Sequence, residues 1–217
     1  MNLKNKNPAL KVAFTLVELL VVIAIIGILA GLLTYLAPRA TRVKTTARLK
    51  ADLAQLVAAI DSYHATMGFY PPDNILTNSG APPRETLPPL FYELTGTIFT
   101  NGDFETVNAG EKISKITAQT VFGRGGFANS QPGNVHNFFK QLKAGVQYRP
   151  YLMTPVQVLV VPVEGPNDFP SPDPANPKPL NTWRYVSTNP TNNPGRYDLW
   201  AEFVVGGKTN LIGNWNQ

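Results

Sequence analysis

Glu18 is the residue of this 217-residue chain whose type and position most need a chemical explanation. It is the only charged side chain in the apolar run of residues 14–37. A carboxylate inside such a run costs roughly 2.5–3.5 kcal/mol on membrane-insertion scales, and less near its end. Glu18 either snorkels to the interface of a single-pass anchor or is neutralised by a positive partner. Were the chain cut after Ala13, the new α-amino group of Phe14 would lie about one helical turn away and could meet the Glu18 of another subunit.

Residue types that usually carry catalysis are sparse. Cysteine is absent, and the two histidines, His64 and His136, are 72 positions apart, so no local His/Cys motif for metal binding is present. The Gly-Arg-Gly-Gly stretch at 123–126 lacks a preceding strand and the dinucleotide-binding spacing, so it is interpreted as a flexible turn. We therefore predict a protein that is not an enzyme, with no catalytic residue, no metal site and no cofactor.

The positive charge is concentrated near the start of the chain. The formal net charge is +5, but three lysines fall within the first 13 residues, and without them 16 basic residues face 14 acidic ones. Bulk nucleic-acid binding is therefore not predicted. A second basic cluster follows the apolar run and comprises Arg39, Arg42, Lys44, Arg48 and Lys50. It indicates a juxtamembrane patch facing lipid headgroups or acidic neighbours, or alternatively a solvated helix face.

The apolar run predicts a long helix. Its 24 residues would span ~36 Å at ~1.5 Å per residue, enough to cross a ~30 Å hydrocarbon layer. A secretory signal core has only ~7–15 residues, so the run should stay in the mature protein. After Pro38, where a kink is expected, apolar residues recur every three to four positions as far as Met67, and Gly68 should end the helix.

The predicted fold class is α+β. A long N-terminal α-helix, membrane-spanning in its first half and amphipathic in its second, packs on a small antiparallel β-sheet with a loop-rich insertion. The insertion should hold a short helix near 137–142 and a strand at 156–163, and the last strands should lie near 183–187 and 197–205. The chain is divided into a leader peptide (1–13), a transmembrane and assembly helix (14–37), an amphipathic helix (38–71), a loop-rich variable region (72–180) and a C-terminal β-sheet region (181–217).

The decapeptide Lys11-Val-Ala-Phe-Thr-Leu-Val-Glu-Leu-Leu20 resembles the class III signal of type IV pilins and of type II secretion pseudopilins. The resemblance implies cleavage by a prepilin peptidase between Ala13 and Phe14. It also implies N-methylation of Phe14, and filament assembly that depends on Phe14 and Glu18. Ala13 stands where the family usually has glycine.

Further resemblance indicates one branch of that family. The run from Ile60 to Pro71, the hexapeptide from Gly195 to Trp200 and the terminal stretch 212–215 resemble major pseudopilins of type II secretion. This implies a structural subunit of a periplasmic filament with several partners. They are other copies in a helical homo-polymer, the prepilin peptidase, minor pseudopilins, and an inner-membrane assembly platform with its ATPase. The implied location is the bacterial inner membrane, single-pass, with the C-terminal domain in the periplasm.

Two alternative functions remain open at this level. The chain could be a type IV pilus subunit for adhesion, motility or DNA uptake, or a membrane-tethered binding module that never polymerises.

Gly27 and Gly31, four residues apart and followed by Pro38, mark either a flexible stretch of helix or simple lipid-facing glycines. The excess of basic residues after the apolar run by itself favours a cytoplasmic C-terminal domain. Calcium in the C-terminal loop is not expected, because residues 205–214 contain no acid.

Overall fold

The computed structural model describes residues 14–76, 86–140, 142–151, 154–166 and 179–215. Within the first range, the side chains of residue 33 and residues 35–38 lie outside the description. The chain forms two compact units, Met1–Val43 and Lys44–Gln217, and each is described by itself.

Three α-helices and eight strands make up the described part of the chain. The helices are α1 (Leu16–Met67), α2 (Leu90–Thr95) and α3 (Lys115–Phe122), with a 3-10 helix at Ala128–Ser130. The strands are β1 (Thr97–Thr100), β2 (Asp103–Thr106), β3 (Lys112–Ser114), β4 (Tyr148–Pro150), β5 (Gln157–Leu159), β6 (Arg184–Val186), β7 (Asp198–Val205) and β8 (Lys208–Gly213). The α+β prediction is confirmed.

The part of α1 in the second unit is amphipathic, as predicted. One stripe is buried in the core and recurs every three or four residues, because that spacing keeps side chains on one face. Its fully or almost fully buried members are Leu49, Leu53, Leu56, Ile60 and Tyr63. Val43, which the pattern placed on the same stripe, is 70% exposed, so the core-facing stripe begins later than predicted.

Helix α1 ends where the sequence indicated. Gly68 adopts φ +82°, a left-handed conformation that costs glycine little, and its N–H donates to the carbonyl of His64 at 2.9 Å. At Pro38 the backbone stays helical, so the helix is not broken there. Residues 14–37 were predicted to cross a membrane, but within the described residues no helix is both long and apolar enough to do so.

The strands form three antiparallel sheets instead of one. They are ordered β1-β2-β3, β4-β5 and β6-β7-β8, and the last is the most extensive. Strand β8 was not predicted. It is joined to β7 by Gly206 and Gly207, both at positive φ (+60° and +71°), a two-residue loop that suits the twist of a hairpin. The Gly-Gly dipeptide was the sequence signal for this hairpin.

The region predicted to be rich in loops holds α2, α3 and the first five strands. Its predicted short helix at 137–142 is wrong for the described residues. The Asn137 side chain accepts a hydrogen bond from the Phe139 N–H at 2.9 Å, a local turn that competes with a helix. The strand predicted at 156–163 is shorter, running from Gln157 to Leu159, with only a bridge from Val160 to Thr182 beyond it.

Buried carboxylates hold the second unit together. Asp73 is fully buried and accepts hydrogen bonds from the backbone N–H groups of Ser187 and Thr188 at 3.0 and 2.9 Å. Glu93 accepts from Tyr63 Oη and, through its two oxygens, from the N–H groups of residues 128 and 129. Backbone amides thus do what basic side chains often do for buried acids.

Candidate functional site

Helix α1 begins with a reciprocal hydrogen-bonded cap. The Thr15 N–H and hydroxyl both donate to Glu18 Oε2 at 2.8 Å, and the Glu18 N–H donates to Thr15 Oγ1 at 3.2 Å. The first helical bond, from the Leu19 N–H to the Thr15 carbonyl, is 3.2 Å long. This is a capping box of the Thr-x-x-Glu pattern, which satisfies amide groups that have no partner within the helix. Thr15-Leu-Val-Glu18 was its sequence signal, but the capping box was not predicted.

The capping box gives Glu18 a task inside its own chain. The sequence predicted a different task, pairing with the amine of a neighbouring subunit, and the hydrogen bonds of the cap do not prevent that pairing. Both donors of Thr15 bind Oε2, whereas Oε1 accepts no hydrogen bond from the described residues. A carboxylate can accept about four hydrogen bonds, so Oε1 can still take a charged N–H donor from outside the chain.

The helix around this cap presents apolar side chains on every side. All described residues from 14 to 32 are exposed. The large apolar side chains among them are Phe14, Leu16, Val17, Leu19, Leu20, Val21, Val22, Ile23, Ile25, Ile26, Ile28, Leu29 and Leu32. A helix that is apolar all round is normally buried in an apolar environment, so this surface requires a cover.

The other predicted site residues differ in what the structure says of them. Ala13, the residue before the predicted cut, lies outside the described residues. Phe14 is 75% exposed. A Cβ added to Gly27 or Gly31 would meet nothing within 4 Å, so neither glycine serves a contact in the isolated chain. The side chain of Pro38 is not described.

The basic cluster lies on the following turns of α1. Its five side chains, those of Arg39, Arg42, Lys44, Arg48 and Lys50, are all exposed. Four residues after Arg48, partial burial raises the pKa of Asp52, and the positive charge of Arg48 opposes that rise. This geometry is compatible with a headgroup-facing patch and with a solvated face.

The loop before β7 is organised by a buried carboxylate. Asp198 accepts hydrogen bonds from the backbone N–H groups of Thr191, Asn192 and Asn193 at 2.8–2.9 Å, and from the Asn192 side chain at 3.1 Å. Within the described residues, no three His, Cys, Asp or Glu side chains are grouped as metal ligands would be. The N–H groups donate to both carboxylate oxygens of Asp198, which a bound cation would need as ligands.

The histidines serve as packing and hydrogen-bonding groups. His64 stacks on Tyr70 with ring centroids 4.2 Å apart. His136 Nε2 lies 2.8 Å from Asn134 Oδ1, and its backbone carbonyl accepts from the Asn129 side chain. Each histidine thus has a structural role in the second unit.

Comparison with known proteins identifies one segment. Residues 13–34 match the family model described as the prokaryotic N-terminal methylation motif. No curated protein and no solved structure matches the chain significantly. The matched segment includes the capping box and all thirteen exposed large apolar side chains of residues 14–32. It is consistent with membrane anchoring and supports a type IV pilin-like protein that carries the N-terminal methylation motif.

Proposed function

We propose that the chain is a pseudopilin, a non-enzymatic structural subunit of a periplasmic filament in type II protein secretion. The precursor is inserted in the bacterial inner membrane with its C-terminal part in the periplasm, cut between Ala13 and Phe14, and methylated on Phe14. The observation that carries the proposal is the start of α1, which is apolar and exposed on all sides and lies within a matched methylation motif.

The exposed apolar surface needs an apolar cover at every stage, and in the filament the other helices provide it. Burying a large apolar side chain contributes about 1.5–3 kcal/mol, and these side chains are already partly covered by their own helix. For thirteen of them, roughly 10–20 kcal/mol per subunit favours a covered helix over one exposed to water, so the helix stays in the bilayer or in the filament core. Before assembly the lipid bilayer supplies the same apolar cover.

Glu18 sets the register of that packing. Its Oε1 atom accepts a hydrogen bond from the N-terminal ammonium group of Phe14 in a neighbouring copy, while Oε2 keeps the hydrogen bonds of the capping box. In apolar surroundings a missing partner leaves an unpaired charge, so misaligned copies are strongly disfavoured. The further partners are the prepilin peptidase, the inner-membrane platform with its ATPase, and minor pseudopilins.

Mass spectrometry of the N-terminus tests the processing step. Mature protein should begin at Phe14 with one added methyl group. Mature material that begins at Met1 would refute the proposal.

A matched pair of variants separates the two tasks of Glu18. Thr15→Ala removes the capping hydroxyl but leaves the carboxylate free to pair between subunits, so filaments should still form. Glu18→Gln removes the charge, so filaments seen by cross-linking and electron microscopy should disappear although the helix is retained. Equal filament yields from the two variants would show that Glu18 acts only as a cap.

The location of the assembled fibre separates a pseudopilus from a type IV pilus. Deletion of the gene should leave secreted proteins in the periplasm and remove no surface fibre. Loss of long extracellular fibres with normal secretion would indicate the pilus subunit instead.

A further inference from the structure

An open cavity of about 420 Å³ lies on the outer face of the β6-β7-β8 sheet. The indoles of Trp200 and Trp215 line it, with ring centroids 6.0 Å apart and planes inclined by 58°. The neutral side chains of Asn189, Thr191 and Asn192 line it as well. The lining thus combines two indole faces with several polar groups, and this cavity has no part in the proposed assembly through residues 14–32.

The loop that carries the polar groups is held in place by hydrogen bonds to Asp198. Asp198 accepts four N–H donors from residues 191–193, so the loop is fixed before any ligand arrives. The side chains of Asn189 and Thr191 form no hydrogen bond with the described residues, and both residues are exposed. Donors and acceptors that are free and already positioned lose little entropy on binding.

The position of Trp215 is fixed by its neighbours Asn214 and Gly213. The neighbouring Asn214 side chain accepts from the Leu199 N–H at 3.0 Å and donates to the Tyr197 carbonyl at 2.9 Å. A Cβ on Gly213 would lie 2.9 Å from carbons of the Trp215 indole. Glycine at 213 therefore allows the indole to lie against β8.

Among the described residues that line the cavity, Asp198 is the only charged one. The Asp198 carboxylate is fully engaged with N–H donors, which disfavours its use as an anchor for a cation. Arg184 lies directly opposite Trp200 in the β6-β7 register, so the two side chains share one face of the sheet. Arg184 is itself buried, donates to Thr182 Oγ1 and does not line the cavity, so no cation of the described residues faces a ligand there. The Asp198 carboxylate disfavours an anionic ligand, and its four hydrogen bonds leave it little capacity for a cationic one.

From this arrangement we propose that the cavity binds a neutral saccharide of one or two rings. A sugar ring presents polarised C–H groups on its faces, which pack on the electron-rich faces of indoles. Its hydroxyl groups both donate and accept, which matches the Asn189 amide and the Thr191 hydroxyl. The two inclined indoles give the ring two such surfaces.

Indole N–H signals in NMR spectra test the proposal, because the chain has only three tryptophans. The full chain is kept in a polyoxyethylene detergent, which contains neither a sugar nor an ammonium group. Cellobiose, maltose and N,N′-diacetylchitobiose are titrated separately, with choline chloride and sodium sulfate as charged probes. At least one disaccharide should shift the Trp200 and Trp215 signals saturably, while Trp183, buried in the core, stays unchanged.

Variants link the shifts to the cavity. Trp200→Ala should weaken binding at least tenfold, and Gly213→Ala, which displaces the Trp215 indole, should weaken it severalfold. Asn189→Ala, at an exposed residue, should weaken it about threefold without loss of folding. Phe99→Ala removes an exposed aromatic from another sheet and should change nothing.

The outcomes decide the proposal independently of filament formation. Absence of saturable shifts with every disaccharide overturns it, as does a response to choline or sulfate alone. Binding that survives Asn189→Ala and Gly213→Ala undiminished also overturns it, even if Trp200→Ala fails to fold.

Discussion

Replacing Asp198 by asparagine tests how much one buried carboxylate stabilises the C-terminal sheet. In the native protein Oδ2 accepts three hydrogen bonds, from the Thr191 N–H and from the backbone and side chain of Asn192. Oδ1 accepts one from the Asn193 N–H at 2.9 Å. An asparagine can keep its oxygen at the three-donor position, but its NH₂ group then faces the Asn193 N–H, and two donors oppose each other.

Two effects set the magnitude. Hydrogen bonds to a charged group contribute about 1.5–3 kcal/mol, whereas neutral ones contribute about 0.5–1.5 kcal/mol, and a buried N–H without an acceptor costs about 1–3 kcal/mol. Removing the buried charge returns part of this loss through a smaller desolvation penalty. We expect Asp198→Asn to lower the free energy of unfolding by about 2–4 kcal/mol, which for a chain of this size is roughly 5–15 °C in Tm.

Thermal unfolding of the full chain, followed by near-UV circular dichroism at pH 7, measures the effect. The control is Asn192→Ala, which removes only the side-chain donor and should cost about 1 kcal/mol. If Asp198→Asn unfolds within about 2 °C of wild type, the carboxylate does not organise the loop and the reasoning fails. The wild-type curve should be the same in EDTA and in millimolar calcium, and a calcium-dependent rise of several degrees would show that the loop binds a metal.

Two further predictions concern the second unit. Burial raises the pKa of Glu93, so the folded protein binds this proton more tightly than the unfolded chain does, and stability should fall as pH rises above the ordinary value of 4.5. Urea unfolding at pH 5 and pH 7 should show a smaller fall in stability in Glu93→Gln than in the native protein. An equal fall in both proteins would contradict the assignment. Gly96→Ala should cost more than about 3 kcal/mol in the same assay, because its φ is +71° and the new Cβ would lie 2.7 Å from the His136 carbonyl oxygen. Gly68→Ala, at φ +82° with nothing within 4 Å of the new Cβ, should cost only about 1 kcal/mol. Similar losses of stability in the two variants would refute the steric argument.

Local patterns in the sequence predicted the elements that local chemistry controls. The spacing of apolar residues from Leu49 to Tyr63 fixed the buried face of α1, and Gly68 fixed its end, because both depend on neighbours within a few positions. The pilin-like segment was also recognisable, since its motif is short and contiguous and agrees with the matched family model. The capping box was equally local, in the Thr-x-x-Glu spacing of residues 15–18, but it was not predicted.

Non-local contacts were beyond the sequence patterns. Nothing near Glu93 indicates that its carboxylate will accept hydrogen bonds from the chain 35 and 36 residues later, and its position within α2 reads as an ordinary surface acid. The division of the strands into three sheets depends likewise on pairings that only the folded chain brings together. The cavity between Trp200 and Trp215 was not predicted either, because it depends on the pairing of β7 with β8.

The contact between Asp73 and the residues after β6 imposes an order on folding. Its donors, Ser187 and Thr188, follow it by 114 and 115 residues, so at ~5–20 residues per second they are synthesised on the order of 10 s later. During that interval the acid has no amide to receive it, and closing so long a loop is slow. The core therefore cannot be completed before residues 187 and 188 have been synthesised, and a product that stops short of residue 187 lacks the groups that close it.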